Sequence, residues 1–358
     1  MVIRSKAPLR IGLAGGGTDL LSYSSRYGGA VLNTTIGMYA YCTIIPTDDN
    51  MIRIKAYDNA NSLETPSVSR LEVDGENLIL HRGVYNRIVK DFNGGKPLSF
   101  TMSTSNDAPV GSGLGTSSTM VVALIEAFNK WLNLNLTKEQ KAILAYDIER
   151  NDLKLAGGKQ DQYAAAYGGV NYMEFLTDGS TIVNNLNLSN DRINELESSI
   201  LLYYSGRSRS SAKVQLALSK NIISSQIKST EDKSKSALIA MDNIKETARL
   251  MKDCIVGGDS EGIAKLLQKG WEEKKKTSDI VSNEDLEETI DYALNHGASA
   301  VKVSGAGGGG FLMLYCNPLQ RDKLIHHMSK LSGEVYPVKL VNKGAESWVV
   351  TGDIKWTL

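Results

Sequence analysis

The stretch Pro109-Val-Gly-Ser-Gly-Leu-Gly-Thr-Ser-Ser118 runs directly into the apolar segment Met120-Val-Val-Ala-Leu-Ile125. A glycine-rich loop that opens into a buried helix offers an anion free backbone N–H groups and the positive end of the helix dipole. Gly111, Gly113 and Gly115, with Leu114 among them, allow close backbone approach, and Thr116, Ser117 and Ser118 add hydroxyls suited to phosphate or Mg²⁺. This combination reads as the phosphate cradle of a nucleotide enzyme. It is not a Walker A loop, because no Gly-Lys-Ser/Thr follows the glycines. An ordinary glycine-rich turn has the same composition, so the rest of the chain must decide.

The bulk numbers narrow the field. At 358 residues the chain is long enough for two domains, and 42% apolar with 22% charged residues is ordinary for a globular protein. Forty basic residues balance forty acidic ones, which argues against a nucleic-acid or membrane-surface protein and makes any anion site local. Cys42, Cys254 and Cys316 are scattered, with neither a disulfide framework nor zinc spacing, and the four histidines form no metal cluster. The opening Met1-Val-Ile-Arg-Ser-Lys-Ala-Pro8 has no signal-peptide core, and no apolar run is long enough to span a bilayer. A cytoplasmic protein, monomer or homodimer, is expected.

Outward from the loop, Ile36 to Ile45, Met51 to Ala56 and Leu98 to Ser103 read as strands. A helix is expected from Ser117 to Leu132. A second begins at Thr137, where Thr-Lys-Glu-Gln140 is a capping box, carries Ile143, Leu144 and Ile148 on one side, and ends at Gly157-Gly158. Gln160 to Tyr167 is a short third helix and Ile200 to Tyr204 a strand. Ser210 to Cys254 reads as helices with polar outer faces, interrupted by a loop over Ser224 to Ser236. Asn283 to His296 is an amphipathic helix. The pattern predicts an α+β protein of two domains, 1–185 and 186–358, with an α+β sandwich in the second.

Two more glycine segments stand out. Gly305-Ala-Gly-Gly-Gly-Gly310 satisfies G-x-G-x-x-G literally, but Phe311-Leu-Met-Leu-Tyr315 after it reads as a strand where a dinucleotide site needs a helix. A glycine hairpin, either lining a pocket or merely tight, fits better. Near the start, Ala7-Pro-Leu-Arg10 through Gly15-Gly-Gly17-Thr18-Asp19 sets one cation and one carboxylate beside bare backbone. A carboxylate there suits sugar hydroxyls and a guanidinium suits phosphate charge, although a surface turn has the same look. Glu149 and Asp161, on either side of the Gly157-Gly158 break, could be brought to one pocket by that turn. Phosphoryl transfer needs one carboxylate for Mg²⁺ and another for the attacking hydroxyl. Solvated surface acids are the plainer alternative.

In order and spacing these segments resemble the GHMP small-molecule kinase family. Pro109-x-Gly-x-Gly-Leu-Gly-Thr-Ser117 is similar to its phosphate loop, Ala7-Pro-x-Arg10 through Thr18-Asp19 to its first motif, and Lys302-Val-Ser-Gly305 through Gly310 to its third. The resemblance implies a ribosomal-protein-S5-like N-terminal domain that binds ATP and sugar, followed by a ferredoxin-like α/β sandwich. It implies ATP on residues 111–118, Mg²⁺ on Ser117 and Glu149, Asp161 as base, Arg10 on the transferring phosphoryl and Asp19 on a sugar hydroxyl. Gly307 and Gly308 would face the substrate.

Galactokinases carry Glu-His where this chain has Gly16-Gly17, which opens space for a larger or differently charged substrate. The pair Gly15-Gly-Gly-Thr-Asp19 and Gly157-Gly-Lys-Gln-Asp161 most resembles the branch that phosphorylates the anomeric hydroxyl of a heptose 7-phosphate, on the route to GDP-heptose. Such a substrate needs a cationic pocket, for which Lys159, Arg207 and Arg209 are the candidates. Two rivals stand beside this expectation: a kinase for an unphosphorylated sugar such as fucose or galactose, and a catalytically inactive sugar- or nucleotide-binding protein.

Overall fold

The computed structural model describes residues 1–58, 60–109, 111–206, 211–227 and 232–351. Among these residues no helix is long and apolar enough to cross a membrane.

The first layer is an eight-stranded sheet. β1 (Val2–Ala14) pairs antiparallel with β2 (Gly29–Pro46), and the short helix α1 (Leu21–Tyr27) connects them. β3 (Met51–Ala56) and β4 (Asn61–Pro66) form a hairpin, and β3 runs parallel to β5 (Phe100–Asn106). β6 (Val170–Phe175) and β7 (Thr181–Asn185) extend the sheet from the first half of β2. The apolar run after the glycine loop lies in α3 (Thr116–Trp131), where every residue from Met120 to Ile125 is at most 3% exposed. A helix apolar all round must be enclosed. Here β1 and β2 cover it on one side, and α2 (Ile79–Phe92), α4 (Lys138–Asp147) and α5 (Gln160–Tyr167) on the others.

α4 starts at the expected capping box, with Gln140 N–H donating to Thr137 Oγ1 at 3.2 Å and Thr137 N–H donating to Gln140 Oε1 at 2.9 Å. Leu144 and Ile148 face inward as expected, whereas Ile143 is 43% exposed. The helix does not run on to Gly157; it widens into a π-turn at Ile148–Asp152.

α6 (Asn190–Ser199) leads to the second sheet, whose strands are β8 (Ile200–Tyr204), β9 (Ala298–Val303), β10 (Phe311–Cys316) and β11 (Glu334–Pro337). Their order is β11-β8-β10-β9, all antiparallel, with α7 (Ser211–Ile227), α8 (Asp232–Gly257), α9 (Ser260–Lys275), α10 (Glu284–Asn295) and α11 (Arg321–Met328) between them. This is the ferredoxin-like sandwich. The loop expected over 224–236 is largely absent, because α7 extends to Ile227 and α8 begins at Asp232; residues 228–231 lie outside the described residues.

One strand crosses the expected boundary. β12 (Glu346–Val350) returns to pair antiparallel with β1, so the N-terminal layer is closed by the end of the chain and a single cut at 185 misplaces it. The two layers also share a core: Leu9, Ile11 and Leu13 of β1 pack with Ala248 and Met251 of α8, Leu267 of α9 and Met313 of β10.

Candidate active site

The site lies where this shared core ends. Along β1 the register to β2 shifts between Pro8 and Arg10. Ala7 packs in the core with α3, whereas Leu9 and Ile11 pack in the other core, with α8. Such an irregularity re-aims the side chain beside it, and Arg10 points across to α5 and the glycine loop. Its Nε and Nη2 each lie 2.6 Å from Asp161 Oδ1, its Nη1 donates to Gly113 O at 2.6 Å, and its backbone N–H donates to Leu114 O at 3.1 Å. Arg10 is 4% exposed. One buried cation therefore joins the phosphate loop to a carboxylate in the first turn of α5.

The two glycine loops touch backbone to backbone. A Cβ at Gly113 would sit 2.5 Å from Ser304 O, one at Gly305 2.6 Å from Gly113 O, and Phe311 N–H donates to Ser112 O at 3.0 Å. Side chains at these positions would force the loops apart. The third segment closes in as well: Asp19 accepts from Gly17 N–H and Gln160 N–H, both at 3.1 Å, and a Cβ at Gly158 would fall 1.9 Å from its Oδ2. Burial pushes the Asp19 carboxyl up from its ordinary value and the nearby Asp161 charge adds to this, against the lowering pull of the two N–H donors.

Glu149 comes from the π-turn and is 2% exposed. Ser118 donates to its Oε1 at 3.0 Å and Gln162 Nε2 to its Oε2 at 2.6 Å, with Arg150 Nη1 3.6 Å away. Burial raises its carboxyl above the ordinary value, partly offset by the Arg150 charge and by these two hydrogen bonds. Arg150 also donates to Leu155 O and Gly158 O, at 3.4 and 3.3 Å, bracing the turn that carries the chain from Glu149 to Asp161. The hydroxyl meeting Glu149 belongs to Ser118, whereas Ser117 is exposed at the start of α3. A carboxylate with serine hydroxyls beside it is an oxygen-only set of the kind that Mg²⁺ takes.

Other expected contacts fall elsewhere. Thr18 is fully buried; its hydroxyl accepts from Ala30 N–H at 3.0 Å and lies against Gly15 O and Ala30 O, so it holds the loop shut and does not meet a substrate. Lys159 turns to Gly179 O at 2.5 Å and lies over the Tyr146 ring, away from the cleft. Gly307 and Gly308 are buried against Val281, and it is Gly305 and Ala306 that reach the cleft. Arg207 and Arg209 lie outside the described residues.

Arg10, Asp19 and Asp161 border a cleft that Val214 and Leu218 of α7 also line. A residue that sequence reasoning missed also reaches it. Lys274, near the end of α9, is 8% exposed and donates to Gly305 O at 2.7 Å. Burial pushes its ammonium down to about 8, with Arg10 adding and Asp19 and Asp161 opposing. Lys302 of β9 donates to Gly12 O at 2.9 Å and is pushed down to about 7 by burial and by the charges of Lys274 and Arg10. The missed signal is the phase of α9, for Ile263, Leu267 and Trp271 form its buried stripe and Lys274 continues it.

Residues 77–169 match the family model for the GHMP kinases N terminal domain, and residues 243–332 that for the GHMP kinases C terminal. The chain is a GHMP kinase. This GHMP kinase is 42% identical over 346 residues to the D-glycero-alpha-D-manno-heptose 7-phosphate kinase of Campylobacter jejuni, across 97% of its own length and 98% of that relative. The crystal structure of a D-glycero-D-manno-heptose 1-phosphate kinase from Bacteroides thetaiotaomicron superposes with a TM-score of 0.82 at 43% identity, over 98% of this chain and all of that one. A Lactococcus lactis galactokinase in complex with galactose shares the fold, with a TM-score of 0.73 at 16% identity over 96% of this chain and 95% of its own. Family and relatives make this GHMP kinase an ATP-dependent sugar kinase.

Proposed function

We propose that the enzyme transfers the γ-phosphoryl group of MgATP to the anomeric hydroxyl of D-glycero-D-manno-heptose 7-phosphate, giving the 1,7-bisphosphate on the route to GDP-heptose. The observation that carries the reaction class is the bridge from Gly113 O through Arg10 to Asp161. It sets a cation between a triphosphate on residues 111–118 and the carboxylate beside the cleft. Phosphoryl transfer passes through a loose transition state, in which the nucleophile develops little charge until late. Asp161 then has two tasks, to orient the sugar hydroxyl and to take its proton as the new O–P bond forms. Arg10 offsets charge on the moving phosphoryl, and Asp19 fixes a neighbouring hydroxyl. Positioning and preset charge supply most of the acceleration. Glu149, with the Ser118 hydroxyl already on it, would hold Mg²⁺, which when bound would neutralise phosphate charge.

The choice of sugar rests on the relatives and on Gly16-Gly17, where galactokinases carry two side chains. The names of the two relatives differ in which carbon bears phosphate, 7 or 1. A 7-phosphorylated acceptor leaves the anomeric hydroxyl free for Asp161, and ATP with such a sugar phosphate places the reaction in the cytoplasm. ADP release measured across heptose 7-phosphate, free heptose, fucose and galactose tests the reading. A kcat/KM at least tenfold higher for heptose 7-phosphate is expected, and a preference for any free sugar contradicts it.

A further inference from the structure

Lys274 and Lys302 are unusual cations. Among the described residues neither makes an ion pair with a carboxylate; Lys274 donates to Gly305 O, and Lys302 to Gly12 O and Leu13 O at 2.9 and 3.4 Å. A buried ammonium satisfied only by neutral carbonyls is costly to hold unless an anion completes its environment. Lys274 and Lys302 both line one cavity beside the cleft, together with Gly15, Gly16 and Gln160. The vacancy at residue 16 faces this cation directly: a Cβ there would lie 3.8 Å from Lys274 Nζ. Gln160 Oε1, on the same wall, is buried without a hydrogen-bond partner.

The position separates this charge from the triphosphate. No residue from 111 to 118 borders either the cleft or the adjoining cavity. Arg10 stands between the two sides, bound to Gly113 O on one and open to the cleft on the other. We propose that Lys274 and Lys302 hold the phosphate that the sugar already carries, in the room left by the missing side chain at Gly16. This deepens the function proposed above and rests on it for the identity of the sugar. The ligand chemistry is a phosphate monoester dianion, and Lys274 is the residue that tells phosphorylated from free sugar.

The test uses Lys274→Gln and Lys302→Gln in the full-length enzyme, with Lys274→Arg as the charge-keeping control. Loss of one charged hydrogen bond to a dianion is expected to raise KM for heptose 7-phosphate about 10- to 100-fold. KM for ATP should stay within about twofold, the preference for phosphorylated over free heptose should fall at least tenfold, and Lys274→Arg should recover part of the loss. Should Lys274→Gln not fold, Gly16→Glu offers a second route. Residue 16 has open space, and a carboxylate placed there would neutralise Lys274 and reject the phosphorylated sugar. In parallel, binding of inorganic phosphate is followed by ³¹P NMR with the ATP site filled by a non-hydrolysable analogue. Weakening of this binding at least tenfold by Lys274→Gln supports the site. An unchanged phosphate affinity, or a KM for ATP that rises as much as that for the sugar phosphate, overturns it. If phosphate binding depends on Lys274 while only free sugars are turned over, the phosphate site stands and the proposed substrate falls.

Discussion

Arg10 places Nε and Nη2 each 2.6 Å from a single oxygen of Asp161, Oδ1, and leaves Oδ2 unclaimed by the guanidinium. Oδ2 lies on the side of the phosphate loop, where a Cβ added to Gly115 would stand 3.4 Å from it. Half of the carboxylate is thus fixed by a cation that also grips the loop, and the other half is available to a hydroxyl.

Replacing Asp161 by Asn keeps the shape and one acceptor for Arg10 but removes the proton acceptor. A fall in kcat of about 10²- to 10⁴-fold is expected, the range typical of a lost acid–base group. ATP affinity should change by no more than about threefold. Single-turnover ADP formation and calorimetric ATP titration check the pair; full turnover in the Asn variant would remove Asp161 from the chemistry.

The contact between the glycine loops should be intolerant of a single methyl group. Gly113 has φ +82° and a would-be Cβ 2.5 Å from the Ser304 carbonyl oxygen. Gly113→Ala is expected to cost roughly 2 kcal/mol from backbone conformation alone, with more from the clash. It should raise KM for ATP at the same time. Urea unfolding and ATP kinetics on one preparation measure both, and a variant as stable as wild type would show that the loops do not depend on this approach.

The pH dependence follows from the depressed lysine. Lys274 faces Arg10, Asp19 and Asp161, and Lys302 on the neighbouring strand; its ammonium is pushed down to about 8. An anion binds the protonated ammonium groups, so KM for the sugar phosphate should rise as pH passes through the values of about 7 for Lys302 and about 8 for Lys274, while KM for ATP does not follow. The stability of the ligand-free protein has the matching sign. Between the folded value near 8 and the ordinary value of 10.5, the unfolded chain binds more protons, so this group makes folding more favourable as pH rises through that window. Lys274→Arg, charged throughout, should flatten the KM profile; a profile unchanged in that variant would assign the titration elsewhere.

A buried ion pair far from the cleft offers a stability test. Lys141 Nζ lies 2.6 Å from Glu126 Oε2, both residues are under 10% exposed, and Ser347 of β12 donates to Glu126 Oε1 at 2.6 Å. Glu126→Ala strands the ammonium and releases the returning strand, for an expected loss of about 3–5 kcal/mol. Chemical denaturation should show this loss with kcat of the remaining folded protein nearly unchanged. A loss under about 1 kcal/mol would mean that solvent reaches Lys141.

Much of this architecture is legible in local sequence, because its signals are local. The capping box at Thr137 places the start of its helix within a residue, and the alternation across Met51–Ala56 places its strand, whereas the end of that helix, expected at Gly157-Gly158, comes ten residues earlier at Asp147. The hairpin after Gly310 excludes a dinucleotide site by context alone. What escaped depends on tertiary packing. β1 looks like a turn because Pro8 and Gly12 are poor strand formers, and pairing with β2 and β12 overrides them. Lys274 sits in Glu272-Glu-Lys-Lys-Lys276, which reads as a solvated helix end; only the phase from Trp271 and the arrival of Gly305 show which lysine turns inward. Thr18 and Lys159 have side chains suited to ligands, but neighbouring backbone groups take them.

The position of the transferred phosphoryl group tests the central claim most directly. Heptose 7-phosphate and MgATP are incubated with the enzyme, and the product is read by proton–phosphorus correlation NMR. A new phosphorus signal coupled to the anomeric proton, with the 7-phosphate retained, is the expected result. A new phosphate on any other carbon, or ADP formed only with an unphosphorylated sugar, would contradict it.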